Sequence, residues 1–170
     1  MAKPNVHTAS RDELIDAMAE LPRVCKYVHM PAQSGSNAIL KAMRRGYTRE
    51  RYLEIVREFR RRSPDGEVAA DFIVGFPGET EEDFEQSLSL VHEVRFQQSF
   101  VFRYSPRPGT PSAERFEDDV PLAAKAAQFD DIRGIVFARD LIKRADLDGT
   151  APVTALMRDA YFVPETKRVA

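Results

Sequence analysis

The chain has 170 residues, 43% of them hydrophobic and 31% charged, with a formal charge of −2. That balance describes an ordinary folded protein with room for one core, or a core plus a small appendage; it excludes a disordered chain and a globally basic field of the kind that announces nucleic acid. No apolar run approaches the roughly 20 residues of a membrane span, and Met1-Ala-Lys-Pro-Asn5 lacks a signal-peptide core, so the sequence predicts a cytoplasmic protein with no membrane partner.

In chain order, Leu14, Ile15, Met18 and Leu21 fall at helical spacing over 12–21. A short strand over 24–30 follows, closed by Pro31. It contains the only cysteine in the sequence, Cys25. One thiol cannot form an internal disulfide, a Cys₄ zinc site or an iron–sulfur cluster, and Cys25 is expected to be a small buried apolar group. Ser36 or Asn37 caps the next helix, which carries Ile39, Leu40 and Met43 and is expected to end at Gly46. Thr48 caps a further helix with Tyr52, Leu53, Val56 and Phe59 inward. Its arginines Arg57, Arg60, Arg61 and Arg62 read as a solvated face rather than a phosphate-contacting patch.

Ser63-Pro64-Asp65-Gly66 is a turn by its chemistry. The nearly unbroken apolar run 68–76 suits a strand of a parallel sheet, broken by Pro77-Gly78. Thr80-Glu81-Glu82-Asp83 resembles a capping box with Asp at its last position, and Phe84, Leu88, Val91 and Val94 give the following helix a buried stripe. Phe100, Phe102 and Tyr104 alternate along another strand, which ends in a Pro-rich segment at 105–111. After an acidic turn at 114–119, one helix runs from Pro121 to about Ala145. Residues 146–170 form a tail without clear periodicity, in which 157–163 reads equally as a strand or a helix turn.

Alternating strands and helices predict an α/β chain with parallel strands. Three such units are too few to close a barrel of about eight strands. They form either a small open sheet or part of something larger. The weak strand pattern at Val6-His7-Thr8 favours the second. His7, His29 and His92 have no metal-ligand spacing and are expected to be packed or solvated in the ordinary way.

Parallel α/β folds present functional groups where strands run into helices. At such ends lie His29 to Ser36, Asp71 to Thr80 and Arg103 to Thr110, with Arg44 to Thr48 after the helix that follows the first. Together they suit a small molecule with a sugar, a planar base and a carboxylate. Asp71 and Gln33 can accept from ribose hydroxyls. Arg45 can clamp a carboxylate bidentately, or simply make a surface ion pair. An acid in an apolar strand, Asp71 needs a partner, either a neighbouring side chain or a ligand. Gly75 and Gly78 admit a flat base close to the backbone, or serve only as turns. The helix starting at Thr80 offers amides to an anion or carbonyl.

In order, His29 to Ser36, Ile39 to Thr48, Asp71 to Phe84 and Tyr104 to Thr110 resemble the radical S-adenosylmethionine methylthiotransferases. With Gln33-Ser34-Gly35-Ser36 and Arg45-Gly46-Tyr47-Thr48 the chain looks most like the branch that adds a methylthio group to isopentenylated adenosine beside the tRNA anticodon. The branch acting on ribosomal protein usually differs in both places, and other members act on threonylcarbamoyl-adenosine. The resemblance spans about residues 5–130. It implies S-adenosylmethionine as cofactor, with Gln33 and Asp71 on the ribose, Arg45 on the carboxylate, Gly75, Phe76 and Pro77 along the adenine, and Ser34 as a further cofactor-binding residue. Tyr104 and Arg107 would lie toward the substrate, and tRNA would be the partner.

The family also has an N-terminal domain and a Cys-x₃-Cys-x₂-Cys loop that hold two 4Fe–4S clusters. By the resemblance these would precede Met1, as an RNA-gripping β-barrel would follow Ala145. The expected fold is therefore a partial parallel (β/α) barrel over 1–145 with a C-terminal helix, and an unassigned, irregular tail over 146–170. It would carry no catalytic or metal-ligating residue of its own and would be inactive by itself. A different class of reading is a cluster-free S-adenosylmethionine-binding or assembly module, such as one chain of a split enzyme or a relic. An open half-barrel would also expose sheet edges and an apolar interior, which predicts association.

Overall fold

The computed structural model describes residues 11–144. His7, the strand-like start at 6–8 and the whole 146–170 tail lie outside them. The described elements run α1 (Arg11–Glu20), β1 (Tyr27–His29), α2 (Asn37–Ala42), α3 (Arg49–Arg62), β2 (Glu67–Val74), α4 (Glu81–Val94), β3 (Gln98–Arg103), α5 (Pro111–Arg115) and α6 (Leu122–Arg144). The strands form one parallel sheet in the order β1-β2-β3. Asp71 stands opposite Phe100, and His29 opposite Ala69.

Residue alternation decides which face of this sheet is covered. Val68, Ala70, Phe72 and Val74 of β2 are at most 1% exposed and join Val56 and Phe59 of α3, Phe84, Leu90, Val91 and Val94 of α4, and Ile132 of α6 in one core. Phe96, after α4, meets Phe72 edge-on at 5.6 Å. α6 lies against β3 and β2 and touches α4. The opposite face carries Tyr27, His29, Asp71, Ile73, Phe100 and Phe102, all exposed or half-buried. Among the described residues no helix covers it. Phe100 and Phe102 are 44% and 53% exposed, so the aromatic alternation along β3 marks the open side of the sheet, while Val101 between them faces the core.

Several local expectations change. β1 has three residues rather than seven, and Val24 is exposed. Cys25 is exposed instead of buried, because it lies in the turn before the shortened strand. In α1, Ile15 and Met18 are buried but Leu14 is not, and Leu21 lies exposed just beyond the helix. Ser36, not Asn37, caps α2, accepting from the amides of Ala38 and Ile39. That helix stops at Ala42, and the left-handed residue beyond it is Arg44 (φ 57°) rather than Gly46. β2 ends at Val74 because Gly75 takes φ 67°. On α4 it is Leu90 that is fully buried, while Leu88 is half-buried.

The α3 arginines form a paired face on which Arg57 and Arg61 are exposed while Arg60 and Arg62 are half-buried. Arg62 bridges Glu58 and Asp16, Arg61 pairs with Glu58, and Arg57 and Arg49 both reach Glu93. Arg60 donates to the carbonyl of Arg95.

Candidate functional site

The loop leaving β1 is held from all sides. Gln33 has φ 65°, an unusual conformation for a side-chain-bearing residue, and it continues the pairing with β2. Its amide donates to the Asp71 carbonyl (2.7 Å), and its own carbonyl accepts from Ile73 (2.9 Å). Tyr47 Oη donates to the carbonyls of Pro31 and Ala32, and Tyr52 Oη to that of Met30. Ser34 is turned inward, 1% exposed, with its hydroxyl 3.3 Å from Ser87 Oγ and accepting from the Ser36 amide. Gly35 donates to Ser87 Oγ at 2.8 Å. A Cβ at Gly35 would lie 2.3 Å from the Gln86 carbonyl oxygen, so only glycine lets this loop sit on α4. Ser36 Oγ donates to Asp83 Oδ1 at 2.5 Å. Gln33-Ser34-Gly35-Ser36 is thus first a docking motif between β1 and α4.

The loop leaving β2 is anchored by acids. Gly75 donates to Glu79 Oε2 at 2.6 Å, and Gly78 (φ 78°) donates to Asp119 Oδ1 at 2.8 Å. A Cβ at Gly75 would come within 2.2 Å of Lys125 Cγ. Lys125 is itself buried and is bound to Asp118 and to the carbonyl of Tyr104. Glu79 is 9% exposed and its Oε1 has no hydrogen bond among the described residues. Burial pushes its carboxyl up to about 7, against the Gly75 amide, which favours the charged form, while Asp83 and Glu81 add to the rise. Neither Glu79 nor Lys125 stood out in the sequence. Glu79 lies between the Pro77-Gly78 break and the Thr80 cap with no pattern of its own, and nothing local distinguishes a buried lysine from an exposed one on an amphipathic helix.

The β2 loop borders a cleft of about 620 Å³, to which the loop leaving β1 contributes no wall. Its walls include Arg45, Lys41 and Arg44 from the end of α2, Ile73 and Phe76 from the end of β2, Tyr104 after β3, and Arg115 and Phe116 around α5. Phe76 meets Tyr104 edge-on at 5.1 Å and Phe116 at 6.0 Å, which makes one wall aromatic. No acidic side chain lines it.

Of the residues singled out from the sequence, Arg45, Phe76 and Tyr104 therefore meet at one cleft. Gly75 and Pro77 flank Phe76 and are buried. Asp71 is not a cleft wall; it stands two residues before Ile73 on the same open face of β2. There it makes a 2.8 Å contact with His29 Nε2, a partner the sequence reading passed over as ordinary packing. Gln33 and Ser34 are buried within the loop leaving β1 and are not cleft walls. Arg107 is exposed, and its carbonyl accepts from Thr110.

A family model for the radical SAM superfamily matches residues 4–91. The chain belongs to the radical SAM superfamily. Within it, the chain is similar to tRNA-2-methylthio-N(6)-dimethylallyladenosine synthases. It is 52% identical over 119 residues to that of Saccharopolyspora erythraea, covering 70% of this chain and 24% of that protein. For the Wolbachia pipientis wMel protein the figures are 48% over 143 residues, 84% of this chain and 32% of that protein. A Thermus thermophilus protein is 52% identical over 107 residues, 63% of this chain and 23% of that protein. The chain thus spans between a fifth and a third of the length of the curated relatives it matches. Radical SAM chemistry implies S-adenosylmethionine and a 4Fe–4S cluster as cofactors. Among the described residues no group of three or more His, Cys, Asp or Glu is placed to hold a metal, and the sequence has one cysteine, so the donor set here does not fit a cluster.

Proposed function

We propose that this chain is the S-adenosylmethionine-holding part of a methylthiotransferase barrel, in an enzyme that adds a methylthio group to isopentenylated adenosine in tRNA. One observation carries the reading: Arg45, Phe76 and Tyr104, far apart in sequence, wall a single cleft, with Asp71 beside it on the same sheet face. The three-stranded sheet, with the described helices on one side, is in this reading a sector of a barrel whose lumen is the open face.

The chain's residues suit the parts of the ligand. Arg45 makes no hydrogen-bonded ion pair with a described residue and can take the carboxylate. Asp71 accepts from the ribose hydroxyls, and the Gly75–Pro77 turn borders the adenine. Gln33 acts chiefly through its backbone, fixing the height of the loop against β2, and Ser34 holds that loop onto α4. Tyr104 and Arg107 lie toward the substrate. When bound beside a reduced cluster, S-adenosylmethionine supplies the radical chemistry of the family. The cluster's ligands are assigned to protein outside these 170 residues, and the chain by itself is read as inactive.

Calorimetry of the 170-residue chain with S-adenosylmethionine tests this reading. The parent should bind, and Arg45→Ala and Asp71→Ala should each weaken binding by about tenfold or more, the scale of one charge-assisted contact. Unchanged binding in both variants overturns the site. Anaerobic reconstitution should give no 4Fe–4S absorption and no 5′-deoxyadenosine. Either product would overturn the assignment of the cluster elsewhere.

A further inference from the structure

We propose that His29 is a positioning residue for the ribose contact: its Nε2–H fixes one oxygen of Asp71 so that the other is presented to vicinal hydroxyls. The inference rests on the reading of Asp71 as that contact. It extends the site by a residue on a different strand.

The geometry is specific. His29 Nε2 lies 2.8 Å from Asp71 Oδ1. An ionised carboxylate only accepts, so Nε2 carries the proton and, in the neutral ring, Nδ1 does not. The imidazole is stacked on Phe100, with centroids 5.8 Å apart and planes 23° from parallel. Phe100 is also the register partner of Asp71 on β3. The pair is therefore braced across all three strands, and the ring cannot swing away without losing the stack. The strand ends on either side are pinned as well. Met30 donates to the Ala69 carbonyl at 2.9 Å and Gln33 to the Asp71 carbonyl at 2.7 Å.

Asp71 Oδ2 has no hydrogen bond among the described residues, and the Asp71 side chain is 25% exposed. One oxygen is thus committed and the other available. An aspartate on a short stem, alone on an open face, would sample its rotamers freely. With Oδ1 held, the lost freedom is settled before a ligand arrives, which is the advantage of a preorganised contact.

The test compares two nucleosides and three variants of the 170-residue chain by calorimetry. Adenosine carries the vicinal diol, and 2′,3′-dideoxyadenosine does not. The parent should favour adenosine by about tenfold. His29→Phe keeps a ring over Phe100 but has no donor, and it should bring the preference close to unity. His29→Gln keeps an N–H donor and should retain most of the preference. A purely structural histidine would instead affect both nucleosides alike. Thermal melts of all three variants confirm that folded proteins are compared.

If Asp71→Asn abolishes the preference while His29→Phe leaves it intact, the positioning role fails and the ribose reading stands. If Asp71→Asn changes nothing, or the parent binds neither nucleoside, the ribose reading fails and the inference goes with it. Loss of the preference in His29→Gln as well as His29→Phe also overturns the donor role.

Discussion

Glu79 sits in an environment far from what its type suggests. Its carboxyl is buried against the Gly75 amide and titrates near 7 in the folded chain, against 4.5 as the ordinary value. A group raised on folding binds more protons in the native than in the unfolded state. The stability it contributes is fully present below pH 4.5 and is lost as pH rises through about 7, an effect of at most about 3 kcal/mol. Glu79→Gln keeps an acceptor for Gly75 and removes the ionisation. Urea unfolding should show the variant gaining about 1–3 kcal/mol on the parent between pH 5 and pH 8. A stability difference that does not vary with pH counts against a buried, titrating Glu79.

At the scale of elements, the decisive contact is between the β1 loop and α4. Thr80 and Asp83 form a reciprocal capping box, and the same Asp83 carboxylate accepts from Ser36, the cap of α2. Burial works against the Asp83 charge, yet hydrogen bonds from Ser36 and Thr80 hold its carboxyl below the usual range. One acid thus ties two helix starts together. Gly35 lies where the chains touch, and its substitution measures how close they are. Gly35→Ala places a methyl against the backbone of Gln86 and Ser87 and should cost about 1–3 kcal/mol or more. Gly46→Ala, which meets nothing within 4 Å, should stay within about 0.5 kcal/mol. Equal denaturation midpoints for the two would show that the loop and α4 are not in contact.

For the whole molecule, the consequential feature is the one-sided sheet. Tyr27, Ile73, Phe100 and Phe102 leave an apolar face uncovered by any described helix, and surfaces of that kind seek partners. Sedimentation of the 170-residue chain should show a weight-average mass that rises with concentration. Phe102→Glu, which puts a charge on the β3 side of that face, should lower it toward the monomer. A parent that sediments as a monomer at all concentrations would show that the face is covered.

Much of this architecture was legible because it is local. Strand–helix alternation, the Thr48 and Thr80 caps and the break at Pro77-Gly78 depend on residues a few positions apart, although the strand itself stops earlier, at Val74. The ordered motifs carrying Gln33, Arg45, Asp71 and Gly75 already pointed to the family that the comparisons show. Periodicity could not tell which side of the sheet would be covered. Phe100 and Phe102 look like core until the packing of α3, α4 and α6 on one face leaves them outside, and Cys25 looks like a buried thiol until β1 starts only at Tyr27. Register between parallel strands is likewise set by the whole layer of crossover helices. Only the tertiary structure could therefore bring His29 of β1 onto Asp71 of β2, or seat Lys125 of α6 against Gly75. The sequence determined the kind of elements and the chemistry at their ends. Long-range packing decided which of those groups meet, because contact across a sheet depends on register and on the covered face, and neither is written in any short stretch of chain.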